Sequence, residues 1–453
     1  MYSLSIGSAL PSIDVSIVLA IMTDMGSEFQ RANLSTWIYS AYTLCALIMI
    51  PAVGGLSNAF NRKPILVINT CVFLMGSILC GFSQSFPQVI VARAVSGLGA
   101  GPTSLMSNMI IHDVVPKEQR TSYQSYISTV QTLAFSIGSP LGGFISDTIG
   151  WRYCFRINIP PLVLILYFYF FHLENYKAPN QQQEQKNGDL TLREKLARVD
   201  FGGIFLITAA SFLFTSAFLL GGNILAWTHP FIVTALVVAP AIYGLFVIHQ
   251  HRWAKHPMLP RTVSTNRNFV NACLCVGFSA ASEASAVTII PLFLMVGLHF
   301  TTAKSGVWLM IEAFSVPVGC FIAGRYIRSS GRFSWLLLFN RVLCAASFVI
   351  LYFWIGSDVS MAAGTVGIVL QGMMFGFTVV ILVIVASNTV SQELVPSALS
   401  IYMLSRSVSF LMGTSITSAI IQSVLKILLT EKVNGPDADQ VTCYLFFFLL
   451  ATK

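Results

Sequence analysis

The sequence predicts an all-α integral membrane protein, and three observations carry that prediction. Hydrophobic residues fill 55% of the 453 positions, and mean hydropathy is +0.74. Charged residues are only 10%, against about 25% in a soluble domain. Apolar runs of about 20 residues, the length that crosses the ~30 Å hydrocarbon core, recur from one end of the chain to the other. They are too long for barrel strands, and a backbone in lipid must satisfy its own hydrogen bonds, so helices remain.

Taken in order, thirteen spans are expected at roughly 2–23, 35–56, 65–84, 87–111, 123–147, 157–173, 201–222, 230–249, 269–298, 305–326, 333–356, 361–388 and 398–425. A fourteenth candidate, 441–451, is too short to cross a bilayer, so it reads as a re-entrant or packed element or as a truncated span. Lys and Arg set the orientation. One set of alternating loops holds sixteen of them, Arg62, Lys63, Lys117, Arg120, Arg252 and Arg325 included. The other set holds six, namely Arg31, Arg152, Arg156, Lys304, Lys426 and Lys432. The richer side should be cytosolic. The longest polar stretch, 174–200, reads as a flexible linker, "PNQQQEQKNGD", followed by a short amphipathic helix, "LTLREKLARVD".

These features exclude several classes. The formal charge of +8 is spread over short loops rather than gathered into a patch, which speaks against nucleic acid. No loop is long enough to house a catalytic domain, so an enzyme is not expected. A Walker A sequence is absent, which argues against ATP-driven pumping. The nine cysteines lie mostly within spans and read as small apolar packing residues, with no metal site or cofactor implied. The first run lacks a basic n-region, so no cleavable signal peptide is expected. A channel would call for a repeated filter or a pore ring, and neither is visible.

Charges inside the spans are the candidate functional residues. Asp14, in "PSIDVSIVLA", is the only charged side chain between Met1 and Thr23. A buried carboxylate can exchange a proton as its surroundings change, or it can serve as a packing acid bonded to a neighbour. Arg93 in the fourth span is costly unless paired. Glu283 and Glu312 lie in the ninth and tenth spans, Arg341 and Arg406 in the eleventh and thirteenth. Two acids suit a cationic substrate by Coulomb attraction, or they pair with the two arginines as structural ion pairs.

Specific motifs add a resemblance. "GGLSNAFNRKP" after the second span resembles the loop pattern of the major facilitator superfamily, with Gly54, Leu56, Arg62 and Lys63 matching. Asn58 stands where the family has Asp, so the charge part of the conformational latch implied for Gly54, Asn58, Arg62 and Lys63 is weakened. "ARAVSGLGAGP" resembles the family's fourth-span element, which implies a proton-coupling role for Arg93. Gly138, Pro140, Gly142 and Gly143 resemble the fifth-span antiporter element. The following W-R-x-x-F-x-x-N-x-P, "ARVDFGG" before the seventh span, "HPMLP" before the ninth and "DVSIV" at Asp14 resemble the fourteen-span drug:proton antiporter branch. "RANLSTWIYSAY" and "GSPLGG" look most like the fungal vacuolar basic amino acid transporters.

The resemblance implies the major facilitator fold: a six-helix bundle over 1–173, a cytosolic loop over 174–200, an inserted helix pair over 201–249, a second loop over 250–268 and a C-terminal bundle over 269–453. It implies proton-coupled export of lysine, arginine or histidine into a vacuole, with Asp14 and Arg93 as coupling residues. Glu283 and Glu312 lie outside these motifs and join them as candidate coupling and substrate residues because charges within spans tend to face a polar cavity. The partners would be a small cationic substrate, protons and the lipid bilayer. The alternatives are a plasma-membrane drug or siderophore exporter and a non-transporting nutrient sensor.

Overall fold

A computed structural model describes residues 2–31, 35–174, 200–221, 225–254, 257, 261–294, 298, 302–330, 334–356, 361–390 and 394–432, with backbone alone at a few of these, Asn58 and Lys304 included. The fourteenth candidate, most of the amphipathic segment before Asp200 and most of "HPMLP" lie outside them. The described chain is helical. In order the helices are α1 (Tyr2–Glu28), α2 (Thr36–Ala59), α3 (Arg62–Gly81), α4 (Phe86–Val114), α5 (Lys117–Ile149), α6 (Trp151–Arg156) and α7 (Ile159–Phe171). They continue as α8 (Phe201–Leu220), α9 (Pro230–Ile248), α10 (Arg267–Leu292), α11 (Thr302–Ser330), α12 (Ser334–Gly356), α13 (Met361–Asn388) and α14 (Val395–Lys432).

Among the described residues, eleven stretches are long and apolar enough to cross a membrane. The expected spans 123–147 and 398–425 are helical, within α5 and α14, but are not among the eleven. The polar side chains of α5 lower its hydropathy. The sixth span begins earlier than expected: helix starts at Trp151, turns at Ile157 and Asn158, and restarts with Pro160 in the first turn of α7, where a missing N–H costs nothing. Large apolar side chains such as Phe205, Phe278, Trp335 and Tyr352 stand exposed on the outside, as a lipid-facing surface requires.

Small residues set the helix spacing, and the same contacts occur twice. Gly97 and Gly101 of α4 press on the backbone of α2 at Tyr42 and Ala46, while Gly99 presses on α3 at Phe73. In the second half Gly372 and Gly376 of α13 press on α11 at Glu312 and Val316. Gly138 of α5 lies against Ile13 of α1, and Gly413 of α14 lies against Ala281 of α10. Association in lipid depends on such close approach because no hydrophobic force separates helices from lipid tails. A Cβ on Gly97 would come within 2.1 Å of the Tyr42 carbonyl oxygen. Gly97→Val should therefore push α2 from α4 and lower stability by about 1–3 kcal/mol, read as a drop in unfolding temperature in detergent.

The two halves meet at the end that carries the basic loops. Gly54 of α2 accepts the Ser400 side chain of α14, and Gly324 of α11 accepts that of Ser125 on α5. Deeper in, the Ser136 hydroxyl of α5 donates to the Ala313 carbonyl of α11. α8 and α9 pack on each other, with α8 also touching α2 and α14. "ARVDFGG" explains itself here. Asp200 caps α8 by accepting from the Gly203 N–H at 2.8 Å, and it meets His249 Nε2 at 2.9 Å and the Gln250 amide. A Cβ on Gly203 would lie 2.2 Å from Gln250 Nε2 and 2.3 Å from Asp200 Oδ2, so a larger residue there would displace these side chains from the clamp.

Candidate functional site

Asp14 lies inside the first half. Gly138 and Gly142 of α5 close on α1 at Ile13 and Ile17, one turn apart, and seat Asp14 out of solvent. Arg93 Nη1 donates to Asp14 Oδ2 at 2.7 Å, with both side chains at most 1% exposed. The Asn158 amide donates to Asp14 Oδ1 at 3.2 Å. The guanidinium lies 4.2 Å from the Tyr42 ring centroid and 5.7 Å from that of Phe155. Its Nε and Nη2 have no hydrogen-bond partner among the described residues. An arginine this deep is tolerated because its carboxylate and two aromatic faces replace water.

W-R-x-x-F-x-x-N-x-P thus reaches the ion pair through Phe155 and Asn158. Its other end forms a clamp at the far ends of the helices. Glu28 accepts from Arg152 at 2.8 Å and from Trp151 Nε1, while Arg152 also donates to the Ser83 carbonyl at 3.1 Å. Burial works to raise the Glu28 carboxyl, but the hydrogen bonds from Arg152 and Trp151 win and hold it below its ordinary value. A depressed folded value stabilises above the unfolded carboxylate range and is lost as pH falls through the lowered one. The clamp should therefore survive mild acid, and Glu28→Gln should flatten the acid limb of a stability–pH profile.

The second half places its acids differently. Glu283 of α10 and Glu312 of α11 are 6% and 3% exposed. Gln371 of α13 donates to Glu283 Oε2 at 3.2 Å, and Ser347 of α12 donates to Gln371 Oε1 at 3.1 Å. Glu312 acts electrostatically on Glu283, and its Oε1 has no partner among the described residues. Neither arginine forms an ion pair with these acids. Arg341 donates to the hydroxyls of Ser279 and Thr378, and Arg406 faces the Phe375 ring. The glycine contacts show why. Glu312 takes the place that Tyr42 holds in the first half. Where Arg93 stands one turn before Gly97, the second half has Ile368 one turn before Gly372.

The basic pair after α2 holds helix ends. Arg62, 1% exposed, donates to Asp113 Oδ2 at 3.0 Å and to the Ser57 carbonyl. Lys63 Nζ donates to the Phe170 carbonyl at 2.9 Å. These partners lie on α2, α4 and α7, all in the first half, whereas Gly54 faces α14. The Asn58 side chain lies outside the described residues. Of the fifth-span element, Gly138 and Gly142 make close contacts, Pro140 sits within the continuous α5, and Gly143 has open space beside it. Sequence reading missed Asn158, Asp113 and Gln371 as partners. Asn158 was within a recognised motif, but a lone Asp or Gln in an apolar run gives no sign of which helix it faces.

Helices long and apolar enough to cross a membrane enclose buried charges, and likeness to known proteins gives the class, a membrane transporter rather than an enzyme. The chain belongs to the Major Facilitator Superfamily, whose family model matches residues 4–414. It is 28% identical to the vacuolar membrane amino acid uptake transporter fnx2 of Schizosaccharomyces pombe, over 98% of this chain and 75% of that protein. Identity to the multidrug resistance protein fnx1 of the same yeast is 27%, over 97% and 82%. Identity to vacuolar basic amino acid transporter 2 of Saccharomyces cerevisiae is 27%, over 89% and 85%. Among solved structures, the human organic anion transporter MFSD10 superposes with a TM-score of 0.63 at 14% identity, covering 99% of this chain and 98% of that one.

Proposed function

We propose that this transporter is a proton-coupled antiporter that moves basic amino acids from the cytosol into the vacuole. The observation that carries this reading is the pair Glu283 and Glu312, buried at membrane depth with no ion-pair partner among the described residues. Two like charges there need positive charge between them, and a cationic substrate or a proton supplies it. Asp14 and Arg93 form the second element of the coupling. Protonation of Asp14 releases Arg93, and the halves 1–173 and 269–453 rock about the site, with 201–249 as an inserted pair. The fnx2 and vacuolar basic amino acid relatives support the substrate and the membrane.

The test is ATP-dependent uptake of labelled lysine, arginine and histidine into vacuolar membrane vesicles, with and without the protein. Uptake should require the protein and collapse with a protonophore. The relatives named as multidrug and efflux proteins support a second reading, plasma-membrane drug export. Absence of protein-dependent amino acid uptake would leave that reading or the nutrient sensor in its place.

A further inference from the structure

Arg406 is the cation of the second half that nothing above employs. It lies on α14, twelve residues into the helix and in its described interior, and is half-buried. Its recorded contact is the face of Phe375, 5.8 Å from the ring centroid, and no hydrogen bond or ion pair to it occurs among the described residues. Arg93 is committed to Asp14, and Arg341 to Ser279 and Thr378. Arg406 also sits centrally. Its helix packs on α10, with Ser409 against Gly277 and Gly413 against Ala281, and Phe375 lies one turn from Gln371, which donates to Glu283. A guanidinium at this depth without an anion is costly. Its planar fork of N–H donors fits a carboxylate in a bidentate pair.

The charges around this point are one cation and two acids, none of them in an ion pair among the described residues. A basic amino acid carries the complement: one α-carboxylate, one α-ammonium and one side-chain cation. We infer that Arg406 holds the α-carboxylate of the transported amino acid while Glu283 and Glu312 hold its two cationic groups. This rests on the basic amino acid reading above and narrows it. A cationic drug or a diamine would satisfy the acids but leave Arg406 unpaired, so the site selects amino acids over cations that lack a carboxylate.

The experiment compares L-lysine, lysine methyl ester and cadaverine, the diamine that is lysine without its carboxylate, as competitors of labelled lysine uptake in vesicles. In wild type, the ester and the diamine should compete at least about tenfold more weakly than lysine, the loss expected for a charged hydrogen-bonded partner. In Arg406→Gln the lysine affinity should fall by that factor and cadaverine should compete as well as lysine. Arg406→Lys should recover part of the preference. Ligand-induced shifts in unfolding temperature with lysine and cadaverine give the same comparison for a variant that folds but does not transport. Equal competition by cadaverine in wild type would overturn the inference and leave the cation site standing. Loss of lysine affinity in Arg406→Gln with the lysine-to-cadaverine ratio unchanged would make Arg406 structural. Lack of any lysine uptake by wild type would overturn both this inference and the reading beneath it.

Discussion

Asp14→Asn is expected to lower the unfolding temperature of the purified protein and to abolish coupled uptake. The carboxylate is fully buried and bonded to an arginine that is itself fully buried. Removing one partner leaves the other charge uncompensated, which costs about 3–5 kcal/mol in a buried pair. The loss should be larger than for most single substitutions, which centre near ~1 kcal/mol. Pairing the change with Arg93→Met should recover much of the stability, since two apolar or neutral partners are tolerated where one bare charge is not. It should not recover coupled transport, because the exchangeable pair is gone. A double-mutant cycle on thermal unfolding, run beside vesicle uptake, separates the two effects. Single variants as stable as wild type would sink this account of Asp14 and Arg93.

The second large effect has the opposite signature. Glu283→Gln with Glu312→Gln should reduce basic amino acid uptake at least about ten- to hundredfold, the range for losing even one charged hydrogen bond. Stability should hold or rise. Two buried acids without an ion pair cost free energy where they stand, and an isosteric amide removes the charge while keeping the shape. A functional acid and a structural one are thus told apart by direction. Loss of uptake with a steady or higher unfolding temperature supports a substrate or proton role. A fall in both would mean that the acids hold the bundle together.

The contrast between these experiments arises from residues that look alike along the chain. Asp14, Glu283 and Glu312 are each a single acid in an apolar run. Only the first has an arginine seated opposite it, because α4 carries Arg93 one turn before the glycine that touches Tyr42. In α13 the matching place is Ile368. The alternative in which Glu283 and Glu312 pair with Arg341 and Arg406 meets no ion pair among the described residues. Arg341 points to Ser279, one turn from Glu283 on the same helix, and Arg406 to an aromatic ring. Rotation of a helix about its axis decides such matters, and an all-round apolar span carries little periodicity from which to read it.

By itself the sequence determined the solvent, the helical class, the approximate spans and the location of the buried charges. Those follow from composition and run length, which are local properties set by the thickness of the bilayer and by backbone hydrogen bonding. It also carried enough motif residues to place the chain in its family. Tertiary structure alone decided the partners: Asp113 for Arg62, Asn158 and Arg93 for Asp14, Gln371 for Glu283, and the Phe375 ring for Arg406, with no ion pair to it among the described residues. The physical reason is that a partner in a membrane bundle comes from another helix, often far away in sequence. Its arrival depends on which small residues let two backbones close and at what height.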